Sequence, residues 1–379
     1  MKITVLSSLP PTKGVSKYTA GLLGGLHKHT EVEAVGFKRM YPEFLYPGGT
    51  KDDSLKPIYL EGVKVRNTLT WYNPFGWVWA GLTIKGDVVH AQWWSYVLAP
   101  VYATILFIAK FIRRKKIIIT IHNVKPHEQG FIKNLANKII FALGDKFIVH
   151  TKQNKKELTK SFKIPASKVT VISHGVLMPD VPIRDTTKKQ ARKQLGIADN
   201  KKVLLFFGII RDYKGLDVLL SALAEVKKQV PEVLLLIAGK PWEGWSKYQR
   251  IIDKNNLQDT VKTDLRFIPE EDIEMYFAAT DLVVLPYKHF DAQSGAGSLA
   301  LPFGKAMLVT DNGGLSELVK DEAAVVEPNS KKDLSKKIVS VLNDSELRKK
   351  LDKDSLDLAK QLSWDEIAKE TRKLYKKLM

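Results

Sequence analysis

The stretch LLFFGIIRDYKGLDVLLSAL, residues 204–223, decides the fold. It starts as a continuous apolar strand and ends as a helix starting near Leu216, with Gly208, Arg211, Lys214 and Gly215 between. An uninterrupted apolar strand that opens into a helix marks a parallel sheet covered on both faces. In open α/β sheets, ligands bind beyond the carboxyl ends of the strands, which is where these four residues fall. Arg offers a planar fork of donors and Lys a point charge, and both suit phosphate oxygens. The helix N-terminus adds positive potential, and glycine lets backbone come close to a ligand. A basic surface loop with a glycine turn would account for the same residues, so the stretch alone leaves an anion site and a solvated loop both open.

Outward from this stretch the pattern repeats. Strands are expected at 2–9, 87–92, 116–123, 146–151, 168–174, 202–208, 232–239, 264–269, 281–286 and 306–311, most of them continuous apolar runs. Helical patterns, such as KYTAGLLGGLHKH (17–29), separate many of them and argue for βαβ units. The alternation breaks between about 175 and 200, which reads as a linker followed by the first, exposed helix of a second α/β domain. Two doubly wound domains with a cleft between them is the simplest architecture. The chain ends in LSWDEIAKETRKLYKKLM, an amphipathic helix with Ser363 as N-cap.

The 379 residues are 44% hydrophobic and 27% charged, as in a globular chain of two domains. With no cysteine there is neither a disulfide framework nor a thiolate metal site. This fits a reducing, cytoplasmic compartment. No signal peptide is expected at MKITVLSSLPP, and the apolar segment 97–112 is too short to span a bilayer and reads as a buried helix. The net charge of +19 implies attraction to phosphate in a small molecule, a nucleic acid or an anionic membrane. Much of it is diffuse lysine on helix faces, and no aromatic-interleaved basic strand or finger supports nucleic-acid reading.

Three further segments bear chemistry. Gly14 lies in the turn between the first strand and its helix. In KHFDAQSGAGSLALPFGK (288–305), a small, polar, glycine-rich entry to a helix follows a strand and can present N–H groups to an anion; DNGGLSELV beyond it supplies a glycine turn and a helix. In IHNVKPHEQG (121–130), His122 ends a buried strand, with His127 and Glu128 beyond it. Position 131 is Phe where a zinc-protease motif needs His. The one Asp-x-Asp, Asp352 and Asp354, sits in a charged helix and reads as a solvated face. No metal ligand set is expected.

These pieces, in this order and over nearly the whole chain, resemble the retaining glycosyltransferases of family 4. GIIRDYKG resembles the family's G-x-x-x-x-K-G, VISHGV (171–176) its linker entry, and DNGGLSELV its D-x-G-G-x-x-E-x-V. YPEFLYPGG (41–49) and HNVKPHE (122–128) resemble segments of a narrower subgroup. The resemblance implies an α/β GT-B fold, with two Rossmann-like doubly wound domains facing a central cleft. It gives an acceptor-side domain over 1–175 and a donor-binding domain over 176–360. The C-terminal helix, 361–379, is expected to cross back onto the first domain.

The family's roles carry over by position. Gly14, Gly208, Arg211, Lys214, Ser294 and Gly295 would bind the donor's diphosphate. His122, Arg211, Lys214 and Asp291 would surround the reacting sugar, with His122 positioning it or acting electrostatically. Gly239, Lys240 and Glu317 fall to the nucleotide side, and Trp93, Trp94, His127 and Glu128 to the acceptor side. The family often has two glutamates where this chain has Asp291 and Leu299. Leucine cannot accept a bond from ribose, so that recognition falls to Glu317 or to a backbone group.

The activity implied is metal-independent, cofactor-free transfer of a hexose, with retention, from a GDP- or UDP-sugar to an acceptor hydroxyl. A carbohydrate or lipid-linked glycan is the acceptor class. WYNPFGWVWAG (71–81) and QWWSYVLAP (92–100) hold five of the eight tryptophans, and FIRRKK follows at 111–116. This suits peripheral binding to an anionic membrane, and equally an aromatic core with a cation-capped helix. The competing functions are a nucleotide-sugar epimerase or phosphorylase of the same fold, and a non-catalytic nucleotide-sugar binding protein.

Overall fold

A computed structural model describes residues 1–9, 15–42, 60–124, 130–177, 185–289 and 294–379. The chain divides into two compact units, Met1–Gly175 with Leu362–Met379, and Val176–Gln361.

The first unit contains β1 (Lys2–Leu6), α1 (Val15–Leu26), β2 (Glu31–Arg39), β3 (Lys64–Thr70), α2 (Pro74–Leu82), β4 (Val88–Trp93), α3 (Ala99–Phe107), β5 (Lys116–Ile121), α4 (Phe131–Leu143), β6 (Lys146–Val149), α5 (Lys152–Phe162) and β7 (Val169–Val171). The strands form one parallel sheet in the order β3-β2-β1-β4-β5-β6-β7. The order reverses between β1 and β4, the position where such sheets bind ligands.

The second unit contains α6 (Lys188–Gln194), β8 (Lys202–Phe207), α7 (Leu216–Gln229), β9 (Val233–Ala238), α8 (Ser246–Lys254), β10 (Val261–Asp264), α9 (Glu270–Ala279), β11 (Leu282–Leu285), α10 (Gly295–Ala300), β12 (Met307–Thr310), β13 (Val325–Val326), α11 (Lys331–Asn343) and α12 (Ser345–Gln361). Its parallel sheet runs β10-β9-β8-β11-β12-β13 and reverses between β8 and β11. Each unit has its own apolar core, because each central strand is buried on both faces.

The final helix, α13 (Trp364–Leu378), belongs to the first unit and packs on α1. Ser363 caps it, accepting from the Glu366 N–H at 3.4 Å. Trp364 is seated against Gly21, Gly25 and Gly175; a Cβ at Gly21 would overlap its indole, and one at Gly175 would lie 2.5 Å from it. Glycine in a helix costs roughly 0.5–1 kcal/mol relative to alanine. Here that cost admits the tryptophan.

Several expectations are corrected. Strands β2 and β3 were not anticipated, since Glu33 and Gly36 interrupt the apolar run of β2. Glu33 is buried but accepts from Thr4 Oγ1 at 2.9 Å and pairs with Arg66 at 3.3 Å. The two-residue β13 was missed as well. The strand expected at 264–269 lies at Val261–Asp264 instead, because β10 is a polar edge strand with no apolar run to read. The helix expected after Gly313 and Gly314 is only a 3₁₀ turn, Ser316–Leu318. The buried helix expected over 97–112 is α3 followed by a π-turn, Ile108–Ile112, and Phe107, Phe111 and Ile112 are exposed. Asp352 is no solvated charge: its carboxylate accepts from the Ala306 N–H at 2.6 Å, and burial pushes its pKa up.

Candidate functional site

Three strand ends of the second unit meet at glycine. Gly208, after β8, has φ 94°, and Gly239, after β9, has φ 154°. A Cβ on Gly239 would overlap the Gly208 carbonyl oxygen. Gly215 (φ 70°) is the N-cap of α7, and a Cβ there would overlap the Pro286 carbonyl oxygen after β11. Side chains are therefore excluded where the three loops converge. The loops after β8 and β9 are further joined by Ile210 N–H donating to the Lys240 carbonyl (3.0 Å) and Trp242 N–H to the Ile210 carbonyl (2.9 Å).

The cations stand on this platform. Lys214 is buried, 9% exposed, and its ammonium lies beside Gly208 and 5.8 Å from the Tyr287 ring centroid. Arg211 is half-buried and stacks on Trp242, 4.4 Å from its ring centroid. Neither has a carboxylate partner among the described residues. Their neighbours do: Lys247 pairs with Asp212 at 2.6 Å, and Lys288 pairs with Asp212 at 3.2 Å and with Asp217 at 2.7 Å. Burial, reinforced by Arg211, pulls the Lys214 pKa down to about 8. With no carboxylate partner among the described residues, a buried ammonium is costly, a cost that a bound anion would relieve.

The other residues expected on the donor side lie as follows. Ser294 is buried, and its hydroxyl is already engaged as the N-cap of α10, accepting from the Gly297 N–H at 3.2 Å and lying 3.0 Å from Tyr287 Oη. It shapes the loop, and the exposed Gly295 follows it. Glu317 is half-buried in the 3₁₀ turn whose Leu318 packs on Gly297 of α10. Lys240 is exposed. Gly14, Asp291, His127 and Glu128 lie outside the described residues, as do most of the 41–49 and 122–128 segments. Sequence reading missed Trp242 and Tyr287, whose ring contacts with the cations join different strand ends.

In the first unit, His122 follows β5 and belongs to a chain of polar side chains. Its Nδ1 lies 3.3 Å from His150 Nε2, and its Nε2 lies 2.9 Å from Gln92 Oε1. His150 Nδ1 lies 3.0 Å from the Ile172 carbonyl oxygen. Beyond Gln92, His90 Nε2 lies 2.7 Å from Thr120 Oγ1, and His90 Nδ1 lies 2.6 Å from Tyr375 Oη on α13. Burial pushes the His90 and His150 pKa values down to about 3 each, and burial with the neighbouring imidazoles holds His122 well below its ordinary value. Trp93 is corrected from an acceptor-side to a core residue, 2% exposed and bonded to Asn137 at 2.8 Å. Trp94 is half-buried, its Nε1 donating to Tyr41 Oη at 2.9 Å.

Residues 12–177 match the family model "Glycosyltransferase Family 4", and residues 187–356 match "Glycosyl transferases group 1". Over 249 residues the chain is 26% identical to D-inositol 3-phosphate glycosyltransferase of a Nocardioides species, covering 62% of this chain and 54% of that protein, about half its length. It is 24% identical over 270 residues to the lipopolysaccharide 1,2-N-acetylglucosaminetransferase of Salmonella typhimurium, covering 66% and 70% of the two chains. Among solved structures, Anabaena HepE in complex with UDP and glucose superposes with a TM-score of 0.70 at 19% identity, covering 100% of both chains. The sucrose-phosphate synthase of Thermosynechococcus elongatus superposes at 0.69 with 18% identity, covering 100% of this chain and 99% of that one. With matched glycosyltransferase models over both units and two Rossmann-like sheets, the chain belongs to the GT-B glycosyltransferases, its first half matching family 4 and its second half group 1.

Proposed function

We propose that the protein transfers a hexose, with retention of configuration, from a GDP- or UDP-sugar to an acceptor hydroxyl. The observation that carries this is the Arg211–Lys214 pair, two cations without carboxylate partners among the described residues, standing on glycine backbone at the switch point of a parallel sheet. Cleavage of the anomeric C–O bond leaves negative charge on the departing diphosphate. Fixed cations placed where that charge develops lower the barrier, and one such contact is commonly worth about 3 kcal/mol. With the charge neutralised by side chains, no metal is required. On the acceptor hydroxyl's attack from the same face, its proton passes to the departing phosphate oxygen. Asp291 hydrogen-bonds the sugar, while Glu317 takes over from Leu299 at the ribose.

Thermal-shift titration with GDP, UDP and their hexoses, with magnesium or with EDTA, tests the donor reading, since a ligand of the folded state raises the melting temperature. One nucleotide shifting the transition equally in EDTA supports it; no shift with any nucleotide overturns it. Acceptor-dependent turnover then separates a transferase from an epimerase, a phosphorylase and a non-catalytic binding protein.

A second observation favours a lipid-linked acceptor reached at an anionic membrane. The neighbouring helices α2, α3 with its π-turn, and α4 expose Phe75 (87%), Trp79 (68%), Phe111 (58%) and Ile132 (72%), with Leu82, Phe107, Leu135 and Ile139. Residues 74–82, 99–112 and 131–143 contain no acidic residue, and the exposed Arg113 and Arg114 follow the π-turn. No helix among the described residues is long and apolar enough to cross a membrane. An apolar surface edged by cations suits the plane of an anionic leaflet, such as the cytoplasmic face of a cell membrane. Sedimentation with anionic rather than zwitterionic vesicles is the expected result; equal partitioning into both, or into neither, overturns this part.

A further inference from the structure

The hydrogen-bonded chain from the Ile172 carbonyl to Tyr375 has a direction, and its proton count fixes it. At one end stands a backbone carbonyl, which only accepts, so His150 Nδ1 must carry the proton between them (3.0 Å). A neutral His150 then offers a lone pair at Nε2, and His122 must donate to it from Nδ1 (3.3 Å). A neutral His122 offers a lone pair at Nε2 in turn, which needs a donor, whereas the structure turns Gln92 Oε1 toward it (2.9 Å) and Gln92 Nε2 toward His90. The side-chain amide has an accepting end and a donating end, and neighbours decide which faces where. With its oxygen toward His122, two imidazoles would lie between two acceptors and need three protons, hence a buried cation. With its nitrogen toward His122, two protons suffice.

The same choice sets the rest. With the amide turned over, the Gln92 oxygen takes the place of its nitrogen, which lies 3.4 Å from His90 Nε2, and favours a proton there, donated to Thr120 Oγ1 (2.7 Å). His90 Nδ1 is left with a lone pair, filled by the Tyr375 hydroxyl (2.6 Å). Every ring nitrogen of His90, His122 and His150 is thereby engaged without a charge. Burial and mutual repulsion of the imidazoles favour that neutral arrangement. Among the described residues, the aromatic groups facing the chain are the Tyr18 ring, 4.8 Å from His122 and 4.9 Å from both His150 and His174, and His174 itself, 5.6 Å from His150. None of these is a carboxylate.

We propose that Gln92 and His150 are positioning residues that lock His122 as its Nδ1–H tautomer, with the Gln92 amide turned over so that its nitrogen donates to Nε2, and that Tyr375 of the C-terminal helix closes this chain. Both nitrogens of His122 are then occupied, so it cannot take the acceptor's proton and serves as an oriented, neutral ring. This consequence for transfer rests on the function proposed above; the tautomer itself does not.

Nitrogen-15 NMR of the full chain without substrate tests the lock, with His122, His150 and His90 assigned by single substitution. Expected at neutral pH are Nδ1–H signals for His122 and His150 and an Nε2–H signal for His90. A protonated Nε2 on His122, or a doubly protonated ring in the His122–His150 pair, overturns the proposal whether or not the protein transfers sugar. The Gln92→Glu variant replaces a donor by an acceptor. It should move the His122 proton to Nε2 or charge the pair, lower kcat by at least about tenfold through misplacement of the ring, and add a new inflection to the pH profile. An unchanged His122 tautomer in folded Gln92→Glu also overturns it. Should that variant not fold, the wild-type spectrum decides alone.

Discussion

Arg211 and Trp242 meet face to face, the guanidinium carbon 4.4 Å from the indole centroid, although they leave the sheet from different strands. The stack holds the guanidinium without neutralising it, as an ion pair would. An exposed cation–π contact is worth about 0.5–1 kcal/mol. Trp242→Ala should therefore raise the donor KM about two- to fivefold with little change in the melting temperature, and donor titrations of initial rate measure it.

Lys214→Ala should remove about 10²- to 10³-fold of turnover, the usual loss for one charge-stabilising contact. The melting temperature should hold or rise, since the variant deletes a buried charge that has no carboxylate partner among the described residues. Calorimetry beside kinetics checks both halves, and wild-type turnover would sink the assigned role.

The lowered pKa of Lys214, about 8 in the free protein, gives donor binding a pH dependence. A bound diphosphate favours the ammonium and raises its pKa. The affinity gained from this charge is complete below about pH 8 and is lost as pH climbs from there toward the pKa of the complex. The donor KM should thus rise by up to about tenfold per unit above pH 8. The Lys214→Ala variant should lack that rise.

Gly21 and Gly24 of α1 should respond differently. A Cβ at Gly24 meets nothing within 4 Å, whereas one at Gly21 overlaps the Trp364 indole. Gly24→Ala should stabilise the protein by about 0.5–1 kcal/mol through helix propensity. Gly21→Ala should destabilise it by about 1–3 kcal/mol through overpacking. Denaturant melts of both variants read the difference.

The double variant Trp79→Glu/Phe111→Glu should lose at least about tenfold in anionic-vesicle partitioning, because each change replaces exposed apolar surface by a charge. Its melting temperature should stay within a few degrees of wild type. Binding equal to wild type would remove these helices from the membrane reading.

By itself, the sequence determined the features that depend on near neighbours along the chain. The apolar run of β8, the cations after it, the start of α7 at Leu216 and the Ser363 cap are all local, and each was legible because strand burial and helix capping act over a few residues. Edge strands were less so: β10 has one polar face after another and almost no apolar signal. What only the tertiary structure decided is which distant side chains share protons and rings. Arg211 finds Trp242, and His90 finds Tyr375 of the last helix across 285 positions of sequence. Such partners are chosen by which strands lie side by side and which helix covers them, and no local period encodes that order.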